Sequence, residues 1–487
     1  MSSSTKSLEL NYVMRVGLIP RLGTELPADP VEWAMGQLNA VNTPLKSPAT
    51  VSTLPVPDYR EWPTDFDPGL KERLINLWRW DEAREKIRKE YSHDRRAQQQ
   101  KLDEAQFKYD LRWQDAAKFN HYGAYSDNSV KQRLAHFWFN HFTVGSYDAF
   151  YTAGDMYENR ILKNLDGTFA DLLYEATTHY SMLRYLDNIV NISPNSEQGR
   201  NRRQKGKQVG LNDNLAREVM ELHSCSPAQG YTEDDIHNAA RVLAGWGDYN
   251  YNPRWAPQDW KSAEYPYISK RSDTGTKVIL GKTYGRGSSA LKEFTNDLAN
   301  LDNTRKHICY KLALHFISDE PSNYVTDALE SSWRSSNGSL AQVHQRLIEL
   351  AWTHGERKVL WPSHWLFNIV RASNAHYFEG YEDILSWQSG RDVVKPLTEL
   401  GNSFWQERQP NGFPLQSREW ISLEHLDRRV RFAQSVWNQG LVQASSDQIM
   451  DHLKIPLKAR LQKRPGAIGS DEFVRLTVNQ WMMEVQA

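Results

Sequence analysis

Apolar residues in this sequence recur at steps of three and four in one segment after another, the repeat that lays a stripe along one side of an α-helix. The step of two that a half-buried strand needs is scarce. Start signals stand where helices would open. Asp29-Pro30-Val31-Glu32 supplies a capping residue, a proline suited to the first helical position and an acidic first turn ahead of Trp33, Met35 and Leu38. Thr232 with Asp235 three residues on resembles a capping box, followed by Ile236, Ala239, Ala240 and Leu243 as an apolar stripe and Gly245 as a stop. The same reading places helices near 129–142, 145–164, 168–187, 212–224, 303–317, 322–334, 339–353, 362–373, 419–438 and 470–485. The best strand is Lys277 to Leu280, before Gly281. The expected fold is all-α: one large multi-helix body with a long aromatic loop that contains at most a short β-hairpin.

Four regions follow from composition shifts along the 487 residues. Residues 1–66 are an N-terminal segment with the first helix, and 67–125 carry dense alternating charge that suits a helical arm lying over the core. Residues 126–375 form the helical core, and 376–487 a C-terminal helical region. Two stretches interrupt the core. The first, 191–210, contains RNRRQKGKQ between glycines and reads as a solvated surface loop. The second, 247–287, holds Tyr249, Tyr251, Trp255, Trp260, Tyr265 and Tyr267 among Pro, Asn and Gly. Its rings either pin the loop to the core or offer flat faces to a sugar, with Trp255 and Trp260 as the candidate binding residues.

Composition excludes several classes. Lys plus Arg is 59 against 60 Asp plus Glu, so no overall field steers the chain to nucleic acid or an acidic bilayer. A protein or glycan partner remains open. Only Cys225 and Cys309 are present, which is neither a disulfide framework nor a zinc spacing. No apolar run reaches the roughly 18 residues of a membrane span, and MSSSTKSLELNYVM has no apolar leader core, so the chain as given is expected in the cytoplasm. No motif identifies a cofactor or a metal site, and the cofactor stays unknown.

Candidate chemistry sits on two predicted helices. In RLAHFWFNHFTVG, at about 100° per residue, Val130, Leu134, Phe137 and His141 share one face, so His141 points into the core with Asn140 on its flank. It is either a core histidine with both nitrogens satisfied or a general base in an inner polar pocket. In NDNLAREVMELHS, Leu215, Val219 and Leu222 make the apolar face, and Asn214, Glu218 and Glu221 line one flank. Arg217 and Glu221 are spaced to pair. His223 lies about 160° round from Glu221, so the two cannot hold one ion from a regular helix. The expected centre brings His141, Glu218, Glu221 and Arg217 together as acid/base groups, with Asn140 and Asn214 contacting substrate. Its rival is a structural Arg/Glu network in a binding or assembly protein. His307 and His315 read as packing.

At these residues the chain resembles a bacterial family called domain of unknown function 1800, in RLAHFWFNHFTVG, YLDN at 185–188, NDNLAREVMELHS, GYTEDDIHNAARVLAGW and DTGTKVILGK. KLALHFISDEP and the stretch from Trp420 to Ala433 resemble it more loosely. The resemblance implies a helical fold and an exported protein, and it brings no established catalytic residues. The family pattern reads His-Asn-His where this chain has Phe139-Asn140-His141, and His-Asp where it has Ser272-Asp273, so two imidazoles of that pattern are missing.

Overall fold

The computed structural model describes residues 7–39, 69–109, 111–145, 149–247, 265–375, 395–403, 409–454, 469–478 and 480–485. The fold is all-α: among the described residues 67% are helical and there are two small two-stranded sheets. Helices of eight residues or more are numbered here. They are α1 (Leu8–Val16), α2 (Pro30–Asn39), α3 (Gly69–Glu90), α4 (Arg95–Tyr109), α5 (Arg112–Tyr125), α6 (Ser129–His141), α7 (Phe169–Thr178), α8 (Glu197–Gln204) and α9 (Asn214–Glu221). There follow α10 (Glu233–Leu243), α11 (Ser289–Ala299), α12 (Asp302–Phe316), α13 (Asn323–Ser335), α14 (Leu340–His354), α15 (Pro362–Ser373), α16 (Leu423–Asn438) and α17 (Gly469–Thr477). No helix among the described residues is long and apolar enough to cross a membrane.

Start signals work as the sequence implies. The Asp29 carboxylate accepts from the amides of Val31 and Glu32 at 3.0 and 2.8 Å, and Thr232 and Asp235 close a reciprocal capping box on α10. Asp235 has a second use: its other oxygen accepts the Leu280 amide at 2.7 Å, pinning a hairpin of β1 (Lys277–Ile279) and β2 (Lys282–Tyr284). Leu280 and Gly281, both at positive φ, make the two-residue turn that such a hairpin requires.

The charged arm is narrower than its composition suggests. Helices α3 and α4 pack on each other as a largely exposed hairpin, but α5 belongs to the core, with Ala117, Phe119, Ala124 and Tyr125 buried. A buried, two-toothed ion pair from Arg73 to Asp115, one arm of it 2.8 Å, fastens the hairpin to α5. Gly154 lies against the Asp115 carboxyl, where any side chain would collide.

Three segments differ from expectation. The segment read as helix over 145–164 is broken into a 3-10 turn (Ala149–Thr152), one α-turn (Ala153–Asp155), a π-turn (Met156–Ile161) and a further 3-10 turn (Leu162–Asn164). The segment read over 168–187 breaks at His179, whose extended backbone lets its ring accept the Ser181 amide and meet Asp155 at 3.0 Å. The basic stretch at 191–210, expected as a loop, contains α8, because Ser196 caps it by accepting the Gly199 amide at 2.9 Å. Its arginines remain on the surface.

Two helices form the centre: every residue of α6 and of α15 is buried. Helix α12 runs antiparallel to α6. Lys311 meets His141, His315 meets Phe137 and Arg133 lies over Phe316, so contacts climb one helix as they descend the other. The C-terminal part closes over this centre. Asn140 exchanges two hydrogen bonds with the Phe413 backbone, at 2.7 and 3.1 Å, and β3 (Lys358–Val359) pairs with β4 (Glu484–Val485).

Replacing Asp115 with Asn strands the buried Arg73 guanidinium with a neutral partner. We expect a loss of about 3–5 kcal/mol in chemical denaturation, and a loss below 1 kcal/mol would show that the pair does not hold the arm.

Candidate functional site

The seam between α6 and α12 carries a basic stripe on each side. Along α12, His307, Lys311 and His315 are spaced by four residues each and therefore share one face. Opposite them, α6 supplies His141, Phe137 and Arg133.

His141 is buried, and both its ring nitrogens are occupied. Lys311 Nζ stands 2.9 Å from Nδ1, and the His223 carbonyl 3.2 Å from Nε2. Chemistry fixes the tautomer. A protonated amine can only donate, so Nδ1 accepts, and the ring hydrogen sits on Nε2, which donates to the carbonyl. His307 Nε2 faces the next carbonyl back, that of Leu222, at 3.4 Å. Helix α9 ends at Glu221, so these two carbonyls lie just past its C-terminus, where no intrahelical donor remains. Imidazoles supply that need, and the partial negative charge of the helix end favours the Lys311 ammonium nearby.

His223 completes the cluster. Its ring is buried 5.9 Å, centroid to centroid, from that of His141, and neither of its nitrogens has a hydrogen-bond partner among the described residues. Burial pushes its pKa down to about 3 and that of His307 to about 4, with the Lys311 charge adding to both, and holds His141 well below the imidazole range. Burial alone pushes Lys311 down to about 8, and no carboxylate among the described residues pairs with it. The site is thus three neutral imidazoles and one lysine that loses its proton readily. Lys311 itself is only partly buried.

The expected meeting of His141 with Glu218 does not occur, because no hydrogen bond joins them and the ring is fully engaged elsewhere. Glu218 is half-buried on α9, its pKa raised by burial and by the charge of Glu221. Its carbonyl accepts the amides of both Leu222 and His223, which sets the turn that presents the His223 carbonyl. Arg217 does pair with Glu221, at 3.2 Å, and also with Glu233 at 2.8 Å and Asp213 at 3.4 Å, in a partly exposed network away from the imidazoles. Asn214 is exposed at the start of α9, and Asn140 is committed to Phe413. Trp255 and Trp260 lie outside the described residues. At the two positions where the family pattern has imidazoles, Phe139 packs edge-on against Tyr157 and Ser272 is bonded to the Tyr267 hydroxyl at 2.6 Å. Asp273 is held by Arg241 at 2.9 Å.

Lys311 and His307 were not among the expected site residues. Their signal was the four-residue spacing in HICYKLALH, hidden by the length of chain between Lys311 and His141. Among the described residues no three His, Cys, Asp or Glu side chains group as a metal site.

A mostly helical body built round a buried imidazole–lysine cluster is the class that fold and site define. The family described as a protein of unknown function, DUF1800, matches residues 25–476, and the chain belongs to it. No curated protein and no solved structure matches the chain.

The depressed imidazoles make stability depend on pH. His223 is neutral in both states above its unfolded pKa of about 6.5. As pH falls below that value the unfolded chain takes up a proton that the folded chain refuses until about pH 3, so stability is lost across this window. In His223→Leu the slope of unfolding free energy between pH 6.5 and 4.5 should fall by about 1.4 kcal/mol per pH unit. Urea denaturation at several pH values measures it, and an unchanged slope would refute the assignment.

Proposed function

We propose that this chain is an enzyme that exchanges protons with a small polar or glycan-like substrate, with Lys311 as the acid/base group and His141 as its positioning partner. One observation carries the reading: an amine set 2.9 Å from an imidazole lone pair, with no carboxylate among the described residues to hold its proton. Burial brings Lys311 down to about 8, close to the working pH at which a group gives and takes protons most effectively. The free amine removes a proton from an acidic C–H or O–H of the substrate and becomes an ammonium. His141 Nδ1 accepts one of its hydrogens and orients it, and the proton then returns to product or solvent. His141 keeps its own ring hydrogen on the His223 carbonyl throughout. Glu218, half-buried one turn away from the start of that carbonyl turn, supplies a carboxyl whose raised pKa suits proton donation at the rim.

The test is a panel of monosaccharides, oligosaccharides and sugar acids incubated with the protein in D2O, with deuterium incorporation and new species followed by NMR. At least one compound should react. Its rate should climb through about pH 8 as the amine loses its proton, and Lys311→Met should reduce it by about 10²-fold or more with the melting temperature little changed. A panel that stays unchanged with wild-type protein, or a reaction equally fast in Lys311→Met, would discard this proposal.

A further inference from the structure

At the other end of the same seam, Arg15, Arg133, His315, Lys358, Trp361 and His364 surround a cavity with room for about one water-sized guest. Three of these residues present nitrogens without a hydrogen-bond partner among the described residues. Arg133 is 3% exposed, and its Nη2 donates to the Arg15 carbonyl at 3.0 Å, but its Nε and Nη1 are buried without partners. His315 Nε2 and His364 Nδ1 are likewise buried and unpartnered. The other nitrogen of His364 is 3.1 Å from His136 Nδ1. When His136 donates across that contact, His364 carries its hydrogen on Nδ1.

The charges round the cavity do not balance. Lys358 is paired with Asp319, and Arg15 is near Glu356, whose carboxylate also accepts the Ser318 hydroxyl at 2.5 Å. Arg133 has no carboxylate among the described residues, and its neighbouring charge is the like charge of Arg15. A buried guanidinium in that position costs several kcal/mol unless an anion meets it. Arg429 is buried in the same way, over the Trp365 ring as Arg133 is over Phe316 and with its Nε and Nη1 unpartnered among the described residues, but of the two only Arg133 stands in the wall of this cavity.

We infer that this cavity binds a small monovalent anion, a halide or the oxygen of a carboxylate, held by the Arg133 guanidinium and the ring N–H groups of His315 and His364. The size of the cavity sets the class, because a free tetrahedral oxyanion is too large for it while a halide or one carboxylate oxygen is not. Trp361, Leu415 and Val485 contribute to the rest of the lining, which lowers the local dielectric round the donors.

Thermal melts at fixed ionic strength, with chloride or formate replacing methanesulfonate, whose tetrahedral head is too large for the cavity, test this directly. The melting temperature should rise saturably by about 2 °C or more, and Arg133→Met and His315→Phe should each remove most of that rise. A response to formate alone assigns the carboxylate head of an organic ligand, and a response to chloride assigns a free anion. Bromide-soaked crystals should give an anomalous peak between Arg133 and His364. Indifference to both anions, an equal response in His315→Phe, or, where chloride raises the melting temperature, an anomalous map that is blank over a water-like peak would overturn the site. Should Arg133→Met not fold, the His315 variant and the bromide map still decide. Lys311→Met should keep the full anion response, so failure here and failure of the proton-transfer reading are seen separately.

Discussion

Removing imidazoles and cations from water without giving them carboxylates is the physical demand round which this interior is organised. Ten of the fifteen histidines have their pKa pushed down, and desolvation is the largest cause in each. A neutral imidazole tolerates burial only if its donor and acceptor find partners. The chain meets this need with neighbouring carbonyls, other rings and an amine, as at His141, and with an acid at His179. Partners run out at the His223 ring and, round the cavity, at Arg133, His315 and His364, among the described residues.

Helix ends contribute as much as helix faces. The loose carbonyls beyond α9 are where His141 and His307 find acceptors, so a short helix that ends early shapes a site tens of residues away in sequence. That ending depends on Glu218, whose carbonyl takes two amides, on the Ser224 hydroxyl bonded to the Val219 carbonyl at 2.6 Å, and on the Ser226 amide reaching Met220. Glu218, a conspicuous acidic residue of this helix, therefore acts first through its backbone, whereas Glu221 acts through its side chain on Arg217.

Local signals were readable and long-range ones were not. The caps at Asp29 and Thr232, the stripe of α10, the hairpin before Gly281 and the inward direction of His141 all follow from spacings of two to four residues, and each is present in the fold. The partner of His141 is not local. Lys311 is 170 positions away, and periodicity says which way a side chain points without saying what comes to meet it. The break at His179 was missed because its cause is tertiary, an Asp155 carboxyl from another element. The helix within 191–210 is illegible from pattern because its basic run carries no apolar stripe, and its start rests on the Ser196 cap. The pairing of Arg217 with Glu221 was foreseen, but Glu233, from the next helix, is its closer partner.

The cavity wall draws on both extremes of the described chain: Arg15 from the first helix and Val485 from the last strand, which is laid against Lys358 and Val359. During synthesis that wall can close only after Val485 has left the ribosome, so the proposed anion cannot be held by a chain that has not yet reached this strand.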